Sequence, residues 1–300
     1  MHPSGDQFWL EADAQEAAVV EVGGGLRIHT VAGVDVLDGY GVDEMATGGR
    51  GQLLLPWPNR IEDGRYAFAG EELQLALTEP SRHNARHGLV RWANWTATSH
   101  DADRVMMELG VHPQPGYPFA LGLAVEYRLG PGGLSVSTTA TNLGDRPCPY
   151  GAGAHPYLTV GTELVDDALL LVPADTCLEV DDRGIPIGSA AVEGAPFDFR
   201  TGRPIGDLAI DTAYTDLTDN EAVLASPDGQ RRARLWWDES YLWLMVFTGD
   251  TLDPGRRRRG LAVEPMTCAP NAFVSGAGLR VLEPEESWTT TWGIAPGAAH

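Results

Sequence analysis

The feature that most restricts the fold of this chain is an alternating pattern between residues 121 and 140. Apolar or small side chains recur at every second position from Leu121 to Leu129, and again from Leu134 to Ala140. A period of two places these side chains on one face of a strand. The two runs are joined by Gly-Pro-Gly-Gly, which is typical of a turn. The pattern therefore predicts a long antiparallel hairpin.

Other segments have the composition of shorter strands. They span residues 17–37, 104–112, 167–173, 177–181, 221–225, 231–237, 241–248, 261–264 and 287–294. No stretch combines a 3.6-residue period with helix caps, and the 36 glycines and 21 prolines follow no repeat. We therefore predict an all-β fold, a large antiparallel β-sandwich, in which residues 1–300 form one domain with a core over about residues 20–295.

The charge balance excludes some classes of partner. The chain carries 21 basic and 42 acidic residues, a formal net charge of −21. Neither nucleic acid nor an anionic membrane surface is an expected partner, because both need a basic footprint. The N-terminus lacks the basic and apolar regions of a signal peptide, and the longest strongly apolar run, residues 241–247, is too short to span a bilayer. These features predict a soluble cytoplasmic protein and leave its oligomeric state open.

The cysteines and the glycine-rich segments do not indicate a metal or a cofactor. Three widely spaced cysteines without a CxxC pair are neither a disulfide framework nor a zinc knuckle. His83 and His87 are four residues apart, but no helix and no third ligand at fixed spacing accompany them. A nucleophilic serine motif and a dinucleotide fingerprint are also missing from the sequence. We therefore predict neither metal nor cofactor.

Polar side chains gather where predicted strands end. An apolar run ends at Pro56 and Pro58, and Asn59 and Arg60 follow directly. A predicted hairpin over residues 66–77 follows, and the next loop ends in His87 and Gly88. Strand ends of a rigid scaffold are where binding groups are commonly presented. Taken singly, however, each of these residues also fits a solvated turn.

Three more segments each offer one candidate group. His155 lies among small residues in Gly-Ala-Gly-Ala-His-Pro-Tyr, Asp211 lies in a predicted turn, and Glu264 ends a strand that reads as buried. A carboxylate in that position is either a structural hydrogen-bonding group or an acid–base group whose pKa the site exploits. Histidine, carboxylates and arginine together are typical of cofactor-free acid–base chemistry on a polar substrate.

Five motifs taken together carry a resemblance to a known family. PWPNRI with a following G-x-Y-x-F-x-G, then His-Gly at 87–88, Ala-His-Pro-Tyr at 154–157, the Asp211 turn and Ala-Val-Glu-Pro at 262–265 occur in this order. From about residue 20 to residue 295 the chain resembles the aldose 1-epimerase (galactose mutarotase) family. The resemblance implies a supersandwich of antiparallel sheets with an open cleft, in which the anomers of a small sugar are interconverted.

The resemblance also implies roles for individual residues. Glu264 would be the general base that removes the anomeric hydroxyl proton, and His155 the general acid that protonates the ring oxygen. His87 would hydrogen-bond in the region of the ring oxygen. Arg60 and Asp211 would hold sugar hydroxyls with the help of Asn59. Tyr157 is expected only as a wall of the site.

Some details of the motifs are closer to one subgroup. The Pro-Trp-Pro-Asn-Arg-Ile and Glu-Pro-Met-Thr forms resemble sulfoquinovose mutarotases more than the galactose enzymes, which favours a modified or anionic hexose. Arg82, Arg86 or Arg91 could serve such a group, or could be ordinary surface arginines. The run Arg256–Arg259 is a solvated turn, a local partner for the acidic surface, or a site for an anionic group on the substrate.

Two alternative functions are consistent with the same residues. A sugar-phosphate 1-epimerase would prefer the phosphorylated sugar. A non-catalytic carbohydrate-binding sandwich would use some of the nine tryptophans for stacking, although it would have no need of an acid–base pair such as His155 and Glu264.

Overall fold

A computed structural model describes residues 1–298 of the chain. Within that range the chain is built almost wholly of strands: β1 (Gln7–Ala12), β2 (Gln15–Val20), β3 (Leu26–Val31), β4 (Val34–Asp35), β5 (Arg60–Glu62), β6 (Arg65–Phe68), β7 (Glu71–Gln74), β8 (Asn84–Arg86), β9 (Thr96–His100), β10 (Arg104–Val111), β11 (Leu121–Gly130), β12 (Gly133–Asn142), β13 (Cys148–Tyr150), β14 (Tyr157–Leu158), β15 (Leu169–Leu171), β16 (Ala174–Val180), β17 (Pro186–Ala191), β18 (Arg203–Pro204), β19 (Asp211–Leu217), β20 (Glu221–Ala225), β21 (Arg231–Trp237), β22 (Trp243–Phe247), β23 (Leu261–Met266), β24 (Arg280–Leu282) and β25 (Ser287–Ala298). Two 3₁₀ turns (Pro80–Arg82 and Val165–Asp167) and one short helix, α1 (Ala272–Ser275), complete it.

The larger sheet contains the hairpin that the alternating pattern predicts. Its nine strands lie in the order β18-β15-β20-β21-β25-β12-β11-β10-β9, and neighbours run antiparallel. In the hairpin Val125 pairs with Thr138 and Tyr127 with Val136. Every second residue of β11, starting at Leu121, is buried. Side chains of alternating polarity thus give this sheet one apolar face.

The second sheet has six strands in the order β14-β23-β22-β19-β16-β17. All six residues of β23, which lies between β14 and β22, are buried. Leu261 and Val263 pack in the main core, and Ala262 and Met266 pack in two smaller apolar clusters. A continuous core joins the two sheets and includes Val125 and Trp292 from the first and Leu244 and Val263 from the second. The predicted all-β sandwich of large antiparallel sheets is therefore confirmed.

Some strands were not expected from the sequence. Residues 210–214 were predicted as a turn, but Asp211 begins β19, which pairs with β22 and β16 inside the second sheet. Strands β1, β9 and β17 were missed because each lies at an edge of its sheet. Edge strands face solvent and commonly carry polar residues, which weakens their apolar pattern. None of the helical segments in residues 1–298 has the length and apolar character needed to cross a bilayer.

Candidate active site

Three buried side chains from distant parts of the sequence meet beside the second sheet. They belong to His87, His155 and Glu264, with 2%, 0% and 2% of their surfaces exposed. The imidazole nitrogens and carboxylate oxygens that they contribute lie within 4.8 Å of one another. All three residues implied as catalytic by the resemblance are thus brought together.

Backbone pairing explains why His155 lies beside Glu264. The segment before β14 runs along β23, with the amide of Ala154 donating to the carbonyl of Pro265 at 3.3 Å and that of Val263 to Pro156 at 3.2 Å. These bonds place Nε2 of His155 3.2 Å from Oε1 of Glu264. This contact lacks the alignment of a hydrogen bond. Neither the ring nitrogens of His155 nor Oε2 of Glu264 have a hydrogen-bond partner among the described residues.

His87 owes its position to a strained loop. Its φ is 60°, and its amide donates to the carbonyl of Asn59 at 2.8 Å. Gly88 follows with a φ of 70°, and a Cβ there would lie 1.9 Å from the carbonyl oxygen of Leu55. Only glycine fits so close a backbone approach. The loop thereby turns the His87 ring toward that of His155, with ring centroids 5.5 Å apart at an angle of 73°.

Burial is the largest cause of the pKa shifts of these three groups. It raises the pKa of Glu264 to about 8, while the charge of Arg86 opposes the shift. Burial also holds the pKa of His155 well below 6.5, helped by the charges of Arg86 and Arg91. The pKa of His87 is lowered in the same way. A low-dielectric site disfavours the charged form of every member.

The predicted binding residues lie next to this trio. Arg60 forms a two-pronged ion pair with Glu79, with Nε and Nη2 at 2.7 and 3.1 Å from the carboxylate oxygens. Arg86 approaches the same carboxylate at 3.3 Å. The side chain of Asn59 accepts a hydrogen bond from the amide of Arg60 at 3.0 Å. Sequence reasoning missed Glu79, since a glutamate before Pro80 in a polar loop carries no signal of its partners.

A cavity of about 250 Å³ connects the binding residues to solvent. It is lined by Asn59, Arg60, Arg82, Val180, Asp181, Asp182, Gly184, Asp211, Ala213, Met245 and Pro270. Met245 is the cross-strand neighbour of Glu264, so the cavity adjoins the buried trio although the trio does not line it. The Asp211 side chain is 45% exposed and lies 4.0 Å from Arg82. All six predicted site residues therefore occupy one region.

The buried trio also has the donor set of a metal site. Among residues 1–298 it is the single group of three or more histidine, cysteine or acidic side chains close enough to share an ion. Two imidazoles and a carboxylate suit zinc. The positive charges of Arg60, Arg86 and Arg91, which all act on members of the trio, oppose a divalent cation. The prediction that no metal is used stays a prediction.

Two packed antiparallel sheets and a buried imidazole–carboxylate contact beside a polar cavity define a β-sandwich protein with a buried polar site. A sequence profile of the aldose 1-epimerase family matches residues 6–295. The chain therefore belongs to the aldose 1-epimerase family. It is an isomerase with activity of the mutarotase type, not a non-catalytic carbohydrate-binding sandwich.

Individual relatives agree with this assignment. The uncharacterized protein YihR of Escherichia coli (strain K12) is 37% identical over 285 residues, covering 94% of this chain and 91% of that protein. An aldose 1-epimerase of the same organism is 31% identical over 204 residues, 64% of this chain and 58% of that protein.

Solved structures share the fold. The GalM/aldose epimerase homologue from C. elegans has a TM-score of 0.87 at 19% identity, over 98% of this chain and 99% of that chain. The galactose 1-epimerase from Lactobacillus acidophilus NCFM has a TM-score of 0.82 at 22% identity, over 97% of this chain and 94% of that chain. The predicted family and supersandwich fold are confirmed.

Proposed function

We propose that this protein interconverts the α and β anomers of an anionic aldohexose by acid–base ring opening and closure. Glu264 is the general base, His155 the general acid, and His87 a hydrogen-bonding partner near the ring oxygen. The observation that carries the proposal is the 3.2 Å contact between Nε2 of His155 and Oε1 of Glu264 in a buried site.

The reaction needs one proton shared between two groups. Carboxylate Glu264 takes the proton of the C1 hydroxyl, the bond between C1 and the ring oxygen breaks, and the ring oxygen takes a proton from imidazolium His155. Rotation about the C1–C2 bond then presents the other face of the aldehyde. Closure reverses the proton transfers, so each group ends in its starting form. Such positioned transfers typically accelerate a reaction by ~10²–10⁴.

The electrostatics of the site support this division of roles. Burial favours a neutral carboxyl and a neutral imidazole, so the single proton rests on Glu264 before substrate enters. Arg60 favours the ionised carboxylate and so lowers the cost of passing that proton to His155, whereas Arg86 stabilises the carboxylate but also disfavours the imidazolium. A bound sugar supplies hydroxyls to the unpartnered nitrogens and oxygen of the trio, which stabilises the charged pair.

The remaining predicted residues suit the binding of sugar hydroxyls. Arg60 and Asp211 offer a donor and an acceptor to the same cavity, with Asn59 beside them. Arg60 is held rigid by Glu79, so little side-chain freedom is lost when it binds a hydroxyl.

The arginines around the site favour a substrate with an anionic substituent. Arg82 lines the cavity with a side chain 34% exposed. Arg91 is partly buried, and within residues 1–298 it donates only to neutral oxygens, those of the Gln52 side chain and the Arg86 carbonyl. In the described part of the chain, Arg86 has one carboxylate partner, Glu79, which it shares with Arg60. A sulfonate or carboxylate on the hexose would compensate these charges, which makes sulfoquinovose a suitable test substrate.

The first test is NMR exchange between anomers of glucose, galactose, sulfoquinovose and glucose 6-phosphate, with and without the protein. We expect acceleration that is greatest for sulfoquinovose and is lost in Glu264→Gln. Equal acceleration of neutral and anionic sugars would overturn the anionic preference. A preference for glucose 6-phosphate would favour the sugar-phosphate 1-epimerase instead. Absence of acceleration for every sugar would overturn the proposal.

A further inference from the structure

The ring of His155 is part of a buried stack that the reaction described above does not use. It lies nearly parallel to the ring of Tyr157, with centroids 5.0 Å apart and planes at 14°. The guanidinium carbon of Arg50 lies 4.2 Å from the centre of the same tyrosine ring. Tyr157 and Arg50 are 1% and 2% exposed. We call these three side chains the His155 stack.

Hydrogen bonds hold Tyr157 and Arg50 in place. The hydroxyl of Tyr157 donates to the carbonyl of Gly48 at 2.8 Å. Arg50 donates to the carbonyl and the carboxylate of Asp38, each at 2.7 Å. Oδ1 of Asp38 also lies 3.6 Å from Nη1 of Arg256. Arg256, the first arginine of the Arg256–Arg259 run, therefore pairs with an acidic side chain and is not simply solvated.

The loop that carries Arg50 also encloses the imidazole. The amide of Gly51 donates to the carbonyl of His155 at 2.9 Å, and the amide of His155 donates to Gln52 at 3.0 Å. A Cβ on Gly49, whose φ is 80°, would lie 2.4 Å from Cδ2 of the ring. The glycines of this loop therefore allow the backbone to lie directly against the ring.

No hydrogen bond orients the ring of His155 among the described residues, so its orientation comes from this packing. Catalytic histidines are usually oriented by a partner on the second ring nitrogen. Within residues 1–298, neither nitrogen of His155 has a hydrogen-bond partner. Only packing then decides which ring edge faces Glu264. A side chain without rotational freedom reaches the reacting geometry more often.

We propose that Tyr157 and Arg50 are positioning residues of the isomerase: they fix the ring of His155 with Nε2 toward Glu264, and Arg50, which packs on the Tyr157 ring and pairs with Asp38, contributes a positive charge to the stack. The kinetic part rests on the proposed function, while the orientation of the ring does not. Besides Arg50, the groups that act on this imidazole are Glu264, His87, Arg86 and Arg91. The charge of Arg50 acts with burial to lower the pKa of His155.

The test compares Tyr157→Leu, which removes the ring, with Tyr157→Phe, which keeps the ring and loses only the bond to Gly48. We expect Tyr157→Leu to lower kcat about 10- to 100-fold with little change in KM, because a small misplacement of a reacting group is costly. Tyr157→Phe should retain kcat within about threefold, since stacking needs only the ring. Equal losses in both variants, or none in Tyr157→Leu, would overturn the role of stacking.

Arg50→Met tests the charge, since it keeps an unbranched side chain on the tyrosine ring. We expect the acid limb of the kcat/KM profile to move to higher pH, together with the imidazole pKa of His155 measured by ¹⁵N NMR. An unchanged imidazole pKa would overturn the proposed effect of the Arg50 charge on His155. Asp38→Asn is a second variant if Arg50→Met does not fold. It removes the carboxylate that compensates Arg50, so the imidazole pKa of His155 should move in the opposite direction, to lower values. The NMR measurements need no substrate, so the stack can be judged even if no tested sugar is turned over.

Discussion

Nε2 of His155 lies 3.2 Å from Oε1 of Glu264, and neither side chain has more than 3% of its surface exposed. Each group titrates far from its usual range because water cannot solvate its charged form. At neutral pH the two therefore share one proton, and the proton's position between them is set by neighbouring charges and by whatever enters the site. The behaviour of this pair is the most direct measure of the proposed mechanism.

The pH dependence of the reaction should reflect the total number of protons on His155 and Glu264 together. The active form holds one proton, so activity is lost when a second proton binds or the last one leaves. We expect kcat/KM to have a plateau whose acid limb lies well below pH 6.5 and whose alkaline limb lies near pH 8. The profile of kcat/KM reports the free enzyme. An alkaline limb below pH 6 would contradict a raised pKa for Glu264.

Replacement of the base separates chemistry from binding. Glu264→Gln preserves the shape of the side chain but cannot accept the anomeric proton, so kcat should fall by ~10²–10⁴ while the sugar still binds. NMR exchange measures the rate, and calorimetry measures the binding. Glu108→Gln, an exposed change on β10, is the matched control and should leave both values unchanged. Wild-type turnover in Glu264→Gln would remove this residue from the mechanism.

Loss of the Glu79 carboxylate, which Arg60 and Arg86 share, should lower the free energy of unfolding more than loss of an exposed ion pair. Its side chain is 13% exposed and that of Arg60 6%, and removal of one partner from a buried pair leaves the other charge uncompensated. We expect Glu79→Gln to lower the free energy of unfolding by about 3 kcal/mol. It should also raise KM, because Arg60 loses its fixed orientation. Glu71→Gln, which breaks an ion pair to Arg146 in which Glu71 is 53% exposed, should cost under about 1 kcal/mol. Urea unfolding of the two variants tests the difference.

The three residues of the buried trio could be predicted from sequence, whereas the side chains that hold them in place could not. His87, His155 and Glu264 each lie in a short motif whose neighbours are distinctive, and the order of the motifs indicated a family. Glu79 and Arg50 lie in polar or glycine-rich loops without a motif. Their importance arises from side-chain contacts over long distances in sequence, and local patterns do not record such contacts. Tyr157 was expected only as a wall, since stacking depends on a ring geometry that sequence does not contain.

The same distinction applies to the strands. The hairpin of β11 and β12 could be predicted because one face is buried along its full length. Strand β19 was missed as a strand because Asp211, Thr215 and Asp216 interrupt its apolar pattern. Its neighbours β22 and β16 supply the hydrogen bonds that local propensity alone would not predict.

A third buried histidine, in addition to His87 and His155, should make the fold sensitive to acid. His29 in β3 is 0% exposed, and its Nε2 lies 3.2 Å from Oε1 of Gln15. Burial lowers its pKa from 6.5 to about 4, so the unfolded chain binds a proton in this window that the folded chain does not. The free energy of unfolding should therefore fall as pH drops from 6.5 toward 4, by about 3 kcal/mol from this residue. Unfolding measured across this range should show a shallower loss in His29→Leu than in the wild type, whereas His112→Gln, an exposed control, should leave the slope unchanged. Identical slopes in His29→Leu and the wild type would show that His29 is not the group that titrates.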